Sequence, residues 1–344
     1  MYRKTYANIY LDNIKDNVSN LIGKYNNYDY YFGVVKADCY GHNDLKTVEK
    51  IIAGGCNYLA VSSLEEALEI RKKFFIPILC LGIISPEDVE LCIKKNITIT
   101  VNSYELAKKI QSSPKLKIHL KLNTGMNRLG ISNIKELDDT YELLKDCNIE
   151  GIFTHIAFAE DKESTLLQFE KFENMVRDYK HISIIHIANS ETLANYEKLS
   201  FVNGCRMGII MYGFGKEKFL KSTIDLRSTI IQINELSKGD KLGYSYAYTA
   251  LDNEKIAVVA IGYADGIIRK NTGRDVFINN KRYKIVGNVC MDMLFVKVDE
   301  SVKIGDEVII LKDVSHIEEV AKHLETIPYE VICGISNRVF RKYI

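Results

Sequence analysis

No stretch of this 344-residue chain approaches the ~18 apolar residues needed to span a bilayer. The first residues, MYRKTYANIYLDNI, alternate polar and apolar side chains and hold no signal-peptide core. Charge of one sign is lacking too: 46 Lys and Arg against 45 Asp and Glu leave a net charge of +1. That excludes a nucleic-acid or membrane-surface partner held by bulk electrostatics. No C-x-x-C pair occurs among the eight cysteines, at 39, 56, 80, 92, 147, 205, 290 and 333, so neither a zinc ribbon nor a thioredoxin-type motif is indicated. Most sit in apolar stretches such as ILCLG, where a reduced, buried thiol is the simplest reading, and a cytoplasmic protein fits. Prolines number four, and no internal repeat, low-complexity tract or Gly/Ser linker is present. No G-x-G-x-x-G follows the first strand and no G-x-x-x-x-G-K-[ST] occurs, which speaks against dinucleotide and P-loop folds.

What is present is alternation. Apolar runs rich in β-branched and aromatic residues recur at 30–36, 57–62, 77–82, 97–101, 116–123, 149–155, 182–187 and 202–207. They are apolar on both faces, as buried parallel strands are. Helical stretches separate them. LEEALEIRKKF (64–74) places Leu64, Leu68 and Ile70 opposite its Lys and Glu. SYELAKKIQ (103–111) begins with Ser103 as a candidate N-cap, and SPEDVELCIKK (85–95) has Pro86 in its first turn. Eight strand-then-helix units predict a closed (β/α)8 barrel of the TIM type over residues 1–222, with an open doubly wound sheet as the rival. Beyond that point strand-like runs alternate with Gly, Asn and Asp turns, including a hairpin around Asn279-Asn280 and one clear helix at 316–325. Residues 223–344 therefore read as a mostly antiparallel β domain, which the first few residues of the chain could join.

In a parallel barrel, chemistry gathers at the C-terminal ends of the strands. The first strand ends in VVKADCYGH with Lys36 at its tip. The fifth ends in HLKLNTGMNRLG with Lys121, Asn123, Thr124 and Arg128. The sixth brings His155, the seventh His186, Asn189 and Ser190, and the eighth Arg206 and Gly208. One lysine alone at a strand tip would be a surface lysine; the joint placement of these groups suits an anion-binding, amine-chemistry site. No pair of carboxylates stands at strand ends, against a glycosidase, and no His/Asp/Glu cluster has metal spacing.

VVKADCYGHN resembles the cofactor-lysine motif of the alanine racemase family, usually A-V-V-K-A-N-A-Y-G-H-G. LAVSSLEEALEIR, KLNTGMNRLG, THIAFAED, HIANSETL, RMGIIMYG, GYSYAYTA, AIGYADGIIR, IVGNVCMDM and ISNRVFRKY follow in the family's order, so the resemblance covers residues 35 to 343. It implies a pyridoxal phosphate (PLP) dependent racemase built as a barrel plus a β domain, working as a homodimer with shared active sites. Its D-amino acid would supply peptidoglycan precursors of the cell wall.

By this resemblance Lys36 carries PLP, and its amine, once freed, serves as one base. The second base on the opposite face of Cα is Tyr244, contributed by the partner subunit; Tyr246 and Tyr248 compete for the assignment. A phenol has a reference pKa near ~10, so such a base needs a hydrogen-bond network or a nearby cation. Arg206 faces the pyridine nitrogen; as a donor that keeps its proton, it weakens the electron sink and suppresses transamination. Tyr40, Ser190, Gly208 and Ile209 hold the phosphate, the last three near helix starts that favour anions. His155 packs near the cofactor ring and His186 behind it. Arg128 contacts the cofactor's phenolic oxygen and the substrate carboxylate. Carbamylation of Lys121 is implied, because a bare ammonium beside Arg128 would be repelled. Met291, supported by Asp292, offers a backbone contact to substrate, and Tyr263, Asp265 and Arg269 line the entrance and the network behind Tyr244.

The chain departs from the family at four places. Asn123 stands where Asp is usual, Asn127 where Gly is usual, and GYS replaces S-Y-G around Tyr244. Asn337, in ISNRVFRKY, stands where members have Tyr or Pro. Asparagine is smaller than tyrosine and can both donate and accept, which would admit a serine hydroxyl. Similar polar replacements occur in the racemase domains of vancomycin-resistance serine racemases, which follow a membrane domain; on that likeness Met1 would not be the natural start. Two alternatives are a decarboxylase of the same barrel-plus-β class, whose cysteine motif and glycine-rich phosphate loop are not seen here, and a PLP-homeostasis barrel protein, which lacks the β domain.

Overall fold

A computed structural model describes residues 3–43, 45–110 and 112–344. Strand β1 spans Tyr6–Ile9. Eight parallel strands then close a barrel: β2 (Tyr30–Val34), β3 (Tyr58–Val61), β4 (Ile78–Cys80), β5 (Thr98–Val101), β6 (Lys117–Lys121), β7 (Asn148–Phe153), β8 (Ile184–Ala188) and β9 (Gly204–Met207). Closure runs from β9 back to β2, with Tyr30 opposite Gly204 and Gly33 opposite Met207. The strands are short and apolar on both faces because one face fills the barrel and the other lies under helices. Phe32, Leu59, Leu79, Ile99 and Ile118 are buried accordingly.

Capping fixes where the helices begin. Ser63 Oγ accepts from the Glu66 amide at 3.4 Å while the Glu66 carboxylate accepts from the Ser63 amide at 3.3 Å, a reciprocal capping box. Ser103 Oγ accepts from Leu106 N at 3.2 Å. The expected helices are shorter than their periodicity suggested: one covers Leu64–Arg71, another Tyr104–Ala107, and the third starts as a 3-10 turn at Pro86–Asp88 before Val89–Lys94.

The chain forms two compact units. One holds Met1–Asn13, Tyr40–Asn43 and Lys221–Ile344; the other holds Ile14–Cys39 and Asp44–Leu220. The first is a β unit whose later strands are β10 (Ile224–Leu236), β11 (Lys241–Leu242), β12 (Tyr248–Thr249), β13 (Glu254–Val259), β14 (Asp275–Ile278), β15 (Lys281–Val286), β16 (Leu294–Val298), β17 (Glu307–Leu311) and β18 (Phe340–Tyr343). Its main sheet has the order β13-β16-β15-β14-β17-β10-β1-β18 and is antiparallel except where β1 runs parallel to β18. The first residues thus enter the β unit, with Tyr6 opposite Arg227. Asn279 and Asn280 turn the β14–β15 hairpin with φ of 50° and 65°, the left-handed pair of a type I′ turn. Asp313 caps the helix Val314–Leu324 through the His316 amide at 2.9 Å. A second helix, Pro328–Cys333, was not expected; six residues are too few to show a period. Among the described residues no helix is long and apolar enough to cross a membrane.

Candidate active site

Lys36 lies two residues past the end of β2, and the chain then does something L-residues rarely do. Ala37, Asp38, Cys39 and Tyr40 all take positive φ, between 51° and 55°, and Gly41 follows at 80°. This is a turn of left-handed helix, closed by Cys39 N donating to Val35 O at 3.1 Å. Glu66 supports it: its Oε1 accepts from Ala37 N at 2.7 Å while its Oε2 accepts from Ser62 N, also at 2.7 Å. Sequence reasoning gave Glu66 no role, although the S-x-x-E spacing from Ser63 marks it. Tyr40 ends the left-handed run, buried, with its ring 5.9 Å from that of Tyr329.

In the barrel unit, four cations gather about His155. Burial holds this imidazole well below its ordinary pKa, and Arg206, Lys121, Arg128 and Lys36 push it in the same direction. Arg206, on β9, is buried, which lowers its pKa to about 10. Its Nη1 donates to His186 Nδ1 at 2.8 Å and reaches His186 O at 3.3 Å. Its Nη2 donates to Thr154 O at 2.8 Å and Ile187 O at 3.0 Å, with His155 Nδ1 at 3.3 Å. The guanidinium is fixed on four sides, and its Nε–H finds no acceptor among the described residues. Lys121, at the end of β6, donates to Leu122 O at 3.1 Å and lies 5.1 Å from the centre of the Phe153 ring. Burial, then Arg206 and Arg128, lowers its pKa to about 7.

Ser190 opens the helix Ser190–Asn195, which Asn189 caps through Thr192 N at 2.9 Å. Its Oγ accepts from Gly208 N at 3.0 Å and Ile210 N at 3.4 Å, so β8 and β9 are joined where Ser190, Gly208 and Ile209 lie. Gln168, which sequence reasoning missed, braces two strand ends: its Nε2 donates to Thr124 Oγ1 at 3.1 Å and its Oε1 accepts from Ala157 N at 2.9 Å. The Asn123 and Asn127 departures prove to be one feature. Asn123 Nδ2 donates to Asn127 Oδ1 at 3.0 Å, its Oδ1 accepts from Asn127 N at 2.9 Å, and Asn127 sits at φ 56°.

The remaining expected site residues lie in the β unit. Tyr244 is 71% exposed in a tight turn, and its carbonyl accepts from Asn288 Nδ2 at 2.9 Å. Tyr263 N donates to Cys290 O and Ala264 N to Met291 O, both at 3.0 Å, joining those two loops. Asp265 is buried and accepts from both Arg3 Nη atoms, at 2.5 and 3.1 Å, and from Gly262 N at 3.1 Å. None of these partners is Tyr244; the network at Asp265 is built on Arg3, which the sequence did not single out. Asp292 accepts from Arg338 Nη2 at 2.7 Å, next to exposed Asn337, and Arg269 is exposed with its charge felt at Cys290.

The family description "Alanine racemase, N-terminal domain" matches residues 9–215, and "Alanine racemase, C-terminal domain" matches residues 223–343. Alanine racemase 1 of Bacillus subtilis (strain 168) is 36% identical over 100% of this chain and 94% of its own length. Among solved structures, alanine racemase from E. faecalis superposes with a TM-score of 0.94 at 31% identity, covering 100% of this chain and 99% of its own. Alanine racemase from Bacillus anthracis with bound L-Ala-P gives 0.92 at 31% identity, covering 100% and 96%.

Proposed function

The chain belongs to the alanine racemase family, and from that membership and the site's geometry we propose that it interconverts L- and D-alanine with pyridoxal phosphate as its cofactor. The observation that carries the reading is Arg206: a buried guanidinium, held on four sides, with one N–H left over among three further cations. The donor set fits the cofactor. Lys36 is an amine near a strand end, the Arg206 Nε–H suits an unprotonated ring nitrogen, and the Ser190 hydroxyl with the Ile209 amide suits a phosphate, the neighbouring Gly208 amide donating to Ser190 Oγ. When bound, PLP supplies an electron sink that weakens the Cα–H bond of an attached amino acid.

The chain's own residues do the rest. Racemisation removes a proton from one face of Cα and returns one to the other, so two groups serve: the Lys36 amine on one side, the Tyr244 hydroxyl on the other. Arg128 receives the substrate carboxylate, and the Met291 backbone contacts the substrate. Tyr40 joins the phosphate set; Tyr263, Asp265 and Arg269 shape the entrance. Tyr244, Tyr263 and Met291 are large, exposed and joined through their loops, which supports a homodimer in which a second copy supplies them. Lys121 supports carbamylation: with its pKa lowered to about 7, the neutral fraction of the amine attacks CO2, the N–C bond forms, one C=O bond opens to the carboxylate, and the nitrogen loses a proton. The product is an anion where Arg128 and Arg206 otherwise face a third cation. D-alanine supplied to peptidoglycan precursors is the matching role, and six buried cysteine thiols suit the reducing cytoplasm.

Asn337 supports a finer reading, acceptance of serine. Borohydride trapping marks the cofactor lysine; a label anywhere but Lys36 overturns the assignment. Racemisation of L-alanine and L-serine is then compared for the native chain and Asn337→Tyr. Serine turnover falling about tenfold against alanine in the variant identifies Asn337 as the selector. Equal alanine preference in both removes serine from the reading.

A further inference from the structure

Behind Arg206 a line of polar side chains continues through the barrel, where apolar layers are the rule. His186 Nε2 lies 2.9 Å from His119 Nδ1. His119 Nε2 faces Glu150 Oε1 at 3.6 Å and has no hydrogen-bond partner among the described residues. Glu150 Oε1 accepts from Tyr58 OH at 2.6 Å and Thr98 Oγ1 at 2.8 Å, at the first residues of β3 and β5. Lys36 and the other strand-end groups stand at the opposite mouth.

The backbone is shaped to admit this line. Between Ile118 and His119 the β6–β7 register shifts, so that Ile149 and Gly151 find partners on β6 and Glu150 is the extra, bulged residue. Gly151 stands opposite His119, and a Cβ there would come within 2.4 Å of the His119 ring. His186 is stacked between Phe32 and Phe153, each 4.6 Å from it centre to centre.

The proton positions follow from one fixed end. Arginine only donates, so His186 Nδ1 must carry a lone pair. A neutral His186 then bears its proton on Nε2 and donates to His119 Nδ1. His119 must bear its own proton on Nε2, aimed at the Glu150 carboxylate. Protonating either imidazole would set two N–H groups against each other. Burial lowers the pKa of both rings, with Arg206 acting the same way, while the carboxylate is pulled down to about 2 despite burial, through His119, Tyr58 and Thr98.

We propose that Glu150 is a positioning residue for the reaction: through His119 and His186 it fixes the proton order of a buried polar chain that holds Arg206 with its Nε–H toward the cofactor ring. The proposal rests on the reading of Arg206 as the partner of the ring nitrogen. At 3.6 Å the Glu150–His119 link is electrostatic rather than a formed hydrogen bond, which is enough to favour one tautomer in a low-dielectric core.

The test uses the cofactor-loaded protein with 15N-labelled histidine. In the native chain both His119 and His186 are expected neutral with the proton on Nε2; an Nδ1–H form of either overturns this proton order. Glu150→Gln keeps the shape and removes the charge. His119 should then gain the Nδ1–H form and His186 should follow. The turnover number should drop about tenfold with KM little changed, and transamination per turnover should rise by a similar factor. Unchanged imidazole signals in Glu150→Gln overturn the role of Glu150, and so do shifted signals with native turnover. If Glu150→Gln does not fold, His119→Phe leaves the His186 Nε2–H without its acceptor and must raise transamination likewise. A native chain that shows the predicted tautomers yet racemises nothing sinks the proposed function while leaving the proton order standing.

Discussion

Asn123 and Asn127 are best understood together. An Asp at 123 would have no N–H to give Asn127 Oδ1, and any residue at 127 must accept a left-handed backbone, which Gly does freely and Asn tolerates. The two asparagines therefore act as one pair. Asn123→Asp alone and Asn127→Gly alone should each cost about 1 kcal/mol of stability, and the double variant should recover most of it. Urea unfolding of the four proteins measures the coupling; strict additivity would show that the pair is coincidental. A second single-residue effect is acid sensitivity at His316. The ring is buried against Phe277, and burial, followed by Arg274, lowers its pKa from 6.5 to about 4. Between pH 4 and 6.5 the unfolded chain binds a proton there that the folded chain does not, so stability rises with pH across that window. At ~1.4 kcal/mol per unit the effect is at most a few kcal/mol. His316→Gln should flatten the pH dependence of the melting temperature between 4 and 6.5; an unchanged slope would exonerate His316.

The left-handed turn after β2 is the element on which the lysine's placement depends. Left-handed helix costs L-residues roughly 1–2 kcal/mol each, so Ala37 to Tyr40 store several kcal/mol. Glycine at 37 would lose that strain but add about 0.5–1 kcal/mol of unfolded-state entropy. Ala37→Gly should therefore raise the melting temperature slightly while lowering alanine turnover, because the turn that aims Lys36 becomes looser; a lower melting temperature would show that the turn is not strained. Nothing in KADCYG announces this conformation, since of its four non-glycine left-handed residues only Asp38 is of a type that visits that region readily. The barrel strands, by contrast, were legible, because buried parallel strands are apolar on both faces and strand ends are where polar groups must collect. Lys36, His155, Ser190 and Arg206 followed from that rule. Glu150 and His119 did not: they lie within strands, where a register shift and a glycine opposite make room, and neither is visible in a list of residue types. Asp265 was singled out, but its partner Arg3 is 262 positions away, beyond any local pattern.

At the scale of the whole molecule, the proposed reaction needs Lys36 from the barrel unit and Tyr244 from the β unit, and the dimer reading assigns them to different copies. The two arrangements make opposite predictions for a mixture. Lys36→Ala lacks the cofactor amine, and Tyr244→Phe lacks the second base; each alone should be nearly inactive. Co-expressed in equal amounts, half of the dimers contain one chain of each kind. If the site is shared across a two-fold axis, one of the two sites in such a dimer combines both defects, and the other draws an intact Lys36 and an intact Tyr244 from different chains. About one quarter of native activity should return. If each chain completes its own site, every site carries one defect and nothing returns. Purifying the mixed dimer with two different affinity tags and assaying L-alanine racemisation separates the cases. A mixed dimer that forms and stays inactive would place Tyr244 in the same chain's site, or remove it from the chemistry. Recovery to half of native activity per mixed dimer would establish both the shared site and the identity of the second base.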